Sequence, residues 1–346
     1  MKARILVTGG TGYIGSHTVV ELIQAGYEPI IVDSLENSYL QVLDGIEKIT
    51  GIRPEFHKVN LRIKKETEDF FNTIGNIDGV IHFAAFKAVG ESVSHPLSYY
   101  ENNLNSLIYL IQEMVQRGIK NIVFSSSCTV YAQPDQLPVS EQAEIRKPYS
   151  PYGNTKKISE EIIEDAVNTY PLNAISLRYF NPIGAHPSAC IGELPQGIPN
   201  NLMPYITQTA KGIRKKITVF GNDYPTPDGT CVRDYIHVVD LAKAHVIAIE
   251  RLVSQKNATK YEVFNLGTGR GYTVLEVIHA FERQTGIKLN YEIGPRRSGD
   301  VAAIYADTSF ATNVLGWVAE RDIDNMVITS WRWEENIRNI YGSLFN

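Results

Sequence analysis

A short apolar run, Arg4 to Thr8, is followed at once by Gly9, Gly12 and Gly15, with Gly10-x-Gly12-x-x-Gly15 embedded among them, and then by a helical pattern over 13–25. A strand that turns through glycines into a helix constrains this chain more than any other feature. Glycines there permit the tight turn, let another group approach the backbone, and bring helix against strand. The helix start beyond them favours an anion through its unpaired amides and its dipole. The next apolar run, Pro29 to Val32, closes on Asp33. That position, roughly 20 residues past the glycines, is where a carboxylate takes the adenosine ribose hydroxyls of a dinucleotide and disfavours a 2′-phosphate. The combination predicts NAD rather than NADP.

Two further apolar runs, Val80 to Ala84 and Asn121 to Ser125, are rich in Ile and Val and read as strands buried on both faces. Helical patterns occupy 64–73, 98–117 and 152–169 between and after them. Such alternation predicts an α/β fold, a doubly wound parallel sheet of Rossmann type. At 346 residues the chain exceeds what one core usually organises. From residue 181 the texture changes to loops such as Pro182-Ile-Gly-Ala-His-Pro and Pro195-Gln-Gly-Ile-Pro-Asn-Asn. The expectation is therefore an NAD-binding domain over 1–180 and a smaller substrate-binding lobe over 181–346. Asp234 to Glu250 reads as a helix and Glu262 to Gly267 as a strand of the first type, so 234–267 is expected to return to the first domain and interleave the two.

A net charge of −5 argues against a nucleic-acid or anionic-membrane surface, so any anionic ligand must be met by local Arg or Lys. The three cysteines, Cys128, Cys190 and Cys231, are too few and odd in number for a disulfide framework and fit a reducing cytosol. The apolar stretch after Met1-Lys-Ala-Arg breaks at Thr8-Gly9, far short of a signal-peptide core. No stretch reaches the roughly 20 apolar residues of a membrane span. These features together lead to the expectation of a cytoplasmic protein. The eight histidines show no paired metal-ligand spacing, and no metal is expected; His82 on a strand reads as packed.

Phe124-Ser-Ser-Ser-Cys-Thr-Val-Tyr131 is a strand end running into hydroxyls. Parallel sheets hold their ligands at the carboxyl ends of strands, so these hydroxyls are expected to line a crevice. Tyr152 and Lys156 follow, four residues apart, on one face if 152–156 is helical. A tyrosine titrates near ~10, so serving as a base near neutral pH needs about 3 units of depression, or roughly 4 kcal/mol. A cation at ~4 Å with an effective dielectric of ~20 is worth about that much. Lys156 is thus expected to lower the Tyr152 pKa, and an oxidised nicotinamide to add to the effect. The pair alone is compatible with any dehydrogenase of this kind. Cys128 has no activating cation beside it in sequence and reads as a small packed residue.

The motifs Thr8-Gly-x-x-Gly-x-x-Gly15, the serines before Thr129, and Tyr152-x-x-x-Lys156 resemble the extended short-chain dehydrogenase/reductases. More narrowly, long segments resemble the UDP-glucose 4-epimerase family over nearly the whole chain: Ile81-His-Phe-Ala-Ala, Lys87-Ala-Val-Gly-Glu-Ser, Arg178-Tyr-Phe-Asn-Pro-Ile-Gly-Ala-His-Pro, Gly197-Ile-Pro-Asn-Asn-Leu-Met-Pro-Tyr and Phe220-Gly-Asn-Asp-Tyr-Pro-Thr with Val232-Arg-Asp-Tyr-Ile-His-Val. The resemblance implies interconversion of UDP-glucose and UDP-galactose by way of a 4-keto sugar, with NAD tightly held. It implies Tyr152 as base on the sugar 4-hydroxyl, Ser127 bonded to the 4-oxygen, and Lys156 holding the nicotinamide ribose. It places the cofactor against Gly9, Gly12, Tyr13, Ile14 and Gly15 in the turn, and against Asp33, Asn37 and Ser38 beyond the second strand. Asn60 and Leu61 would meet adenine, although the family commonly has an aspartate where Asn60 stands. Phe83, Ala84, Lys87 and Asn102 fall on cofactor positions too, as do Tyr179 and Phe180 beside Ser127, Tyr152 and Lys156.

On the UDP-sugar side the same resemblance implies Arg233 and Arg297 on the diphosphate, a use suited to arginine's fork. Asn181, Asn200, Asn201 and Leu202, the run Thr218-Val219-Phe220, Tyr235 and Asp300 would hold the rest of the substrate with Ser127 and Tyr152. Ile304 stands where strict UDP-glucose epimerases carry a bulky tyrosine, which points toward tolerance of a 2-acetamido group and activity on UDP-N-acetylglucosamine. Family members are usually homodimers. A nucleotide-sugar 4,6-dehydratase would share the fold and the Tyr/Lys pair, but that family places an Asp-Glu pair just after the threonine, and Cys128-Thr129-Val130 offers no acid. A non-catalytic NAD-sensing protein would be expected to lose the base or the lysine, and both are present.

Overall fold

The computed structural model describes residues 3–297 and 299–342, so Met1-Lys2 and the end of the 181–346 lobe lie outside the described residues. Its strands are β1 (Arg4–Thr8), β2 (Glu28–Asp33), β3 (Glu55–Lys58), β4 (Gly79–His82), β5 (Asn121–Ser127), β6 (Asn173–Tyr179), β7 (Asn181–Ile183), β8 (Ile217–Phe220), β9 (Val232–His237), β10 (Tyr261–Leu266), β11 (Gly271–Thr273), β12 (Tyr291–Gly294) and β13 (Ala303–Ile304). Among the described residues the largest sheet has seven strands in the order β10-β6-β5-β4-β1-β2-β3. Every pairing in it is parallel.

The two-residue period of the strands divides the interior. Ile5, Val7, Ile31, Ile81, Val123 and Ile175 point into one core, and Leu6, Ile30, Val32, Val80, Ile122 and Phe124 into the other. The first core is covered by helices α1 (Tyr13–Gln24), α2 (Val42–Thr50) and α8 (Val238–Val253). The second is covered by α3 (Lys64–Thr73), α5 (Pro96–Arg117) and α6 (Pro151–Thr169), with the short α4 (Val89–Ser94) leading into α5. From β1 the chain builds outward through β2 and β3, and from β4 it builds the other way. The reversal opens a crevice at the carboxyl ends of β1 and β4.

A smaller sheet joins β11, β9 and β13, with β7 also on β9, and β8 pairs with β12. These strands pack with α7 (Leu202–Ala210), α9 (Val274–Thr285) and α10 (Ile323–Tyr341) around Met203, Ile206, Val219, Phe281 and Met326. β10 is the outermost strand of the large sheet, beside β6.

Several boundaries differ from the sequence reading. The expected helix over 234–250 begins as β9, because Asp234 is fully buried and accepts hydrogen bonds from Thr268 N (2.8 Å) and from Gly269 N and Ala306 N (both 3.1 Å). The helix itself starts at Val238, with His237 Nδ1 capping Val239 N at 3.1 Å. The strand expected over 80–84 ends at His82, since Ala84 N turns to bond Thr8 Oγ1 at 3.3 Å. The helix expected from 98 begins at Pro96, whose fixed φ suits a first turn. The edge strand β3, whose residues are all at least partly exposed, escaped the sequence reading because it lacks a buried run.

Several histidines are packed into this framework. His17 Nδ1 donates to Tyr13 O at 2.7 Å and His245 Nδ1 to Leu241 O at 2.9 Å, and neither Nε2 meets a partner among the described residues. Burial pulls His17 and His82 down to about 3, His245 to about 4 and His237 to about 2, from an ordinary 6.5. The folded protein therefore binds fewer protons than the unfolded chain below pH 6.5. Their stabilisation is complete above that pH and is lost as pH falls toward 4, each histidine contributing about 1.4 kcal/mol per pH unit in that window. Calorimetric melting between pH 7.5 and 5 should show Tm flat above about 6.5 and falling steeply below it; a constant Tm down to pH 5 would contradict this burial.

Candidate functional site

The site forms where the glycine turn, the ends of β4 and β5, and the start of α6 converge. Gly9 sits at φ +69°, and a Cβ there would come within 2.9 Å of Ala84 N. A Cβ on Gly15 would meet Gly9 O at 2.2 Å, so no side chain fits where α1 crosses the turn. The turn itself is closed by Gly12 N donating to Gly9 O (3.1 Å) and Ser16 N to Gly12 O (2.9 Å). Gly12 caps α1 without a side-chain bond, which leaves first-turn amides such as those of Tyr13 and Ile14 for an anion.

Asp33, at the end of β2, accepts from Thr11 N (3.2 Å), Leu35 N (2.9 Å) and Ser38 Oγ (3.2 Å). These bonds fix its carboxylate and Ser38 beside the turn; Asn37 lies exposed nearby in sequence. Further out, Asn60 Nδ2 donates to Glu36 Oε1 at 3.2 Å, and Arg62 Nη2 reaches the same oxygen at 2.8 Å. Asn60 Oδ1 accepts from Arg62 N at 3.2 Å. Glu36 and Arg62 thus orient the carboxamide, and no sequence argument had singled either out. Leu61 is buried in the second core, so only its backbone can line the crevice.

Tyr13 donates its hydroxyl to Gly184 O at 2.6 Å, tying the turn to the stretch after β7. Lys87 pairs with Glu193 at 3.2 Å and lies 5.8 Å from the Tyr13 ring centroid. The Phe83 ring centroid lies 4.6 Å from that of His245, with the rings tilted by 47°. Asn102 Nδ2 donates to Asn103 Oδ1 at 2.9 Å, and buried Asn103 in turn holds Phe86 N (2.8 Å) and Thr155 Oγ1 (3.0 Å).

α6 begins with Ser150 Oγ accepting from Gly153 N at 3.1 Å and with Pro151 in the first turn. This start brings Tyr152 to the end of β5, beside Ser127. Ser127 Oγ also accepts from Thr129 N (3.2 Å) and Thr129 Oγ1 (3.0 Å). One turn on, buried Lys156 Nζ donates to Ser125 O at 2.7 Å and lies 5.9 Å from the Tyr152 ring centroid. The Tyr179 hydroxyl bonds Ser125 Oγ.

The electrostatics correct one expectation. Tyr152 is half-buried by surface, yet protein crowds its phenol so closely that desolvation pushes its pKa well up, with the Ser127 bond opposing. Burial also pulls Lys156 down to about 7. Without a ligand, then, the Tyr/Lys spacing does not produce an ionised tyrosine, because the same desolvation that weakens the lysine's charge disfavours the phenolate. Cys128, beside Ser127, is pushed up to about 12 by burial and stays a thiol, as a packed residue should.

The second lobe gathers the arginines. Arg297 Nη2 and Nε reach the Asp300 carboxylate at 2.8 and 3.1 Å, with the guanidinium 5.8 Å from the Phe220 ring centroid. Arg233 Nη1 donates to Val301 O at 2.8 Å, and its Nη2 lies 3.4 Å from Asp300. Val219 and Tyr235 pack into the lobe's core, while Thr218 and Phe220 flank Val219 on β8. Asn181 pairs in register with Tyr235. Exposed Asn200 precedes Asn201, which caps α7 before Leu202 and donates to Glu193 Oε1 at 2.6 Å. Ile304 is 4% exposed and packs with Phe180, Cys128, Val139 and Ala306. Among the described residues no cluster of His, Cys, Asp or Glu is placed to hold a metal ion.

Residues 5–267 match the NAD dependent epimerase/dehydratase family. The chain belongs to this family. It is 51% identical over 339 residues to the UDP-glucose 4-epimerase of Dictyostelium discoideum, covering 98% of this chain and 97% of that one. Identity to the UDP-glucose 4-epimerase of Homo sapiens is 47% over 352 residues, with 99% of each chain covered. The solved structure of UDP-glucose 4-epimerase from Bifidobacterium longum in complex with NAD+ and UDP superposes with a TM-score of 0.93 at 47% identity, over 98% of this chain and 100% of that one. Within an NAD dependent epimerase/dehydratase fold, the glycine turn with Asp33 fits a dinucleotide: Gly9 and Gly15, where no Cβ fits, let α1 start close against the turn with its first amides open to a pyrophosphate, and the fixed carboxylate suits ribose hydroxyls.

Proposed function

We infer that this protein interconverts UDP-glucose and UDP-galactose with NAD as a tightly held cofactor. The observation that carries the reading is the grouping of Ser127, Tyr152 and Lys156 at the end of β5, in a chain that also gathers Arg233, Arg297 and Asp300 for a diphosphate. The glycine turn, Asp33 and Ser38 would hold the adenosine and pyrophosphate. When bound, NAD supplies the acceptor and then the donor of the C4 hydride. Tyr152 takes the proton of the 4-hydroxyl as hydride leaves, while Ser127 hydrogen-bonds the 4-oxygen. The 4-keto sugar turns within the site, and Tyr152 returns the proton when hydride comes back on the other face. Lys156 positions itself under Tyr152 through Ser125 O, and the cationic nicotinamide is the charge that brings Tyr152 within reach of neutral pH, since the protein alone leaves it raised. Turning the sugar requires a firm grip on UDP and a loose one on hexose, which suits arginines on the diphosphate and the packed apolar wall at Ile304 and Phe180.

We assign residues 1–180 with α8 and β10 to the cofactor lobe, and most of 181–346 to the UDP-sugar lobe. The three cysteines are free thiols, which fits a cytoplasmic setting.

Incubating purified protein with UDP-galactose and resolving the sugars should give UDP-glucose; a 4-keto-6-deoxy product would instead establish a dehydratase, and no change with NAD bound would establish a sensor. Tyr152→Phe should lower turnover by about 10²–10⁴-fold while extractable NAD stays unchanged. Full activity in that variant would remove Tyr152 from its role.

Ile304 favours a second activity. Its side chain is smaller than tyrosine and packs with Phe180 and Cys128, so it takes up less volume than the tyrosine of strict UDP-glucose epimerases would. We therefore expect measurable turnover of UDP-N-acetylglucosamine, with Ile304→Tyr reducing it by about 10-fold or more relative to UDP-glucose. Comparing kcat/KM for both sugars in both proteins decides it, and no turnover of the acetylated sugar by the wild type sinks the idea.

We also propose a homodimer. Leu104 and Ile108 on α5 and Ile158 on α6 keep part of their apolar surface open on adjacent packed helices. Light scattering should report about twice the 38.7 kDa chain mass, and a monomer at micromolar concentration would refute the pairing.

A further inference from the structure

Directly behind the proposed base lies a buried ion pair to which the reaction assigns no part. Glu160 and Arg178 are 5% and 4% exposed. Arg178 Nη2 meets Glu160 Oε2 at 2.6 Å and its Nε meets Oε1 at 2.9 Å, a bidentate pair. Both members of the pair have further partners. Ser126 Oγ donates to Glu160 Oε1, Arg178 Nη1 donates to the Tyr131 hydroxyl at 2.9 Å, and that hydroxyl donates to Asn265 Oδ1 at 2.7 Å. Burying two charges is an unfavourable way to hold a helix when apolar side chains of the same size would serve. Its position gives it another use.

Tyr152, Lys156 and Glu160 are spaced by four residues on α6, so they form one stripe facing β5. The stripe meets three successive β5 residues: Tyr152 stands beside Ser127, Lys156 donates to Ser125 O, and Glu160 accepts from Ser126. Arg178 is the register partner of Ser126 on β6. Lys156 itself has no carboxylate partner within salt-bridge distance among the described residues. Around it stand the Phe124 ring, 4.9 Å away, His82 from β4, which burial keeps neutral, and Tyr152 and Glu160 from its own helix.

We propose that Glu160, clamped by Arg178 and Ser126, is a positioning residue that keeps the Lys156 ammonium charged and seated beneath Tyr152. Burial works against that ammonium and the Glu160 carboxylate works for it, one helical turn away. With the carboxylate gone, Lys156 loses its proton at lower pH. Tyr152 then faces a neutral amine across the physiological range and needs a higher pH to ionise.

This inference rests on Tyr152 being the base, and the test separates the two. In Glu160→Gln the rising, acid-side limb of kcat against pH should move up by about one unit, with kcat at pH 7 about tenfold lower, KM within about twofold and NAD content unchanged. Glu160→Asp, which keeps the charge, should restore most of the shift. Should Glu160→Gln not fold because Arg178 is left unpaired, Glu160→Gln/Arg178→Gln removes both charges and is expected to show a smaller shift in the same direction. If neither is soluble, Ser126→Ala carries the test, a smaller shift in the same direction supporting the proposal. A variant that folds with the wild-type pH profile overturns the role of Glu160 while leaving the base intact. An inactive wild type, or an active Tyr152→Phe, would instead overturn the base.

Discussion

The arrangement of the site depends on the parallel sheet being covered on both faces. With α1, α2 and α8 on one side and α3, α5 and α6 on the other, the interior of each strand has no room for an unpaired polar group. Polar chemistry is pushed to the strand ends. Thr8, Asp33, His82 and Ser127 all stand at or next to such ends, and the reversal of strand order between β1 and β4 is where those ends part. The glycine turn can sit there only because nothing larger than hydrogen fits between α1 and Gly9 O, or between Gly9 and Ala84.

Burial also has a chemical consequence. The desolvation that makes α6 a firm platform pushes the Tyr152 phenol up and the Lys156 amine down, opposite to what a base and its activating cation require. Ser127 and Glu160 work against this desolvation, on the phenol and on the amine respectively. In the second lobe Asp300 bridges Arg233 and Arg297, so that one carboxylate offsets part of the repulsion between two guanidinium groups.

Much of this was legible in the residues. Continuous Ile and Val runs announced β1, β2, β4 and β5, and the 64–73 helix falls where its pattern placed it. The site residues fell in local motifs because turns, caps and i,i+4 pairs are built from neighbours in sequence. The misreading at 234 has a physical origin: Asp234 looks like the polar start of a helix, but its carboxylate is consumed by amides of residues 268, 269 and 306, which no local pattern reveals. Glu36 and Arg62 were overlooked for the same reason, since the Glu36 carboxylate accepts from Asn60 and Arg62 across separate turns.

The sequence by itself determined the doubly wound sheet, the place of the glycine turn and the candidate group of Tyr152, Ser127 and Lys156, because each is written in contiguous residues with a fixed period. Only the tertiary structure decided the desolvation of Tyr152, the partner of Arg178, and the seat of Ile304 against Phe180. Those depend on how much water is excluded and which distant groups meet, and desolvation and long-range pairing arise only when the strands and α6 are assembled.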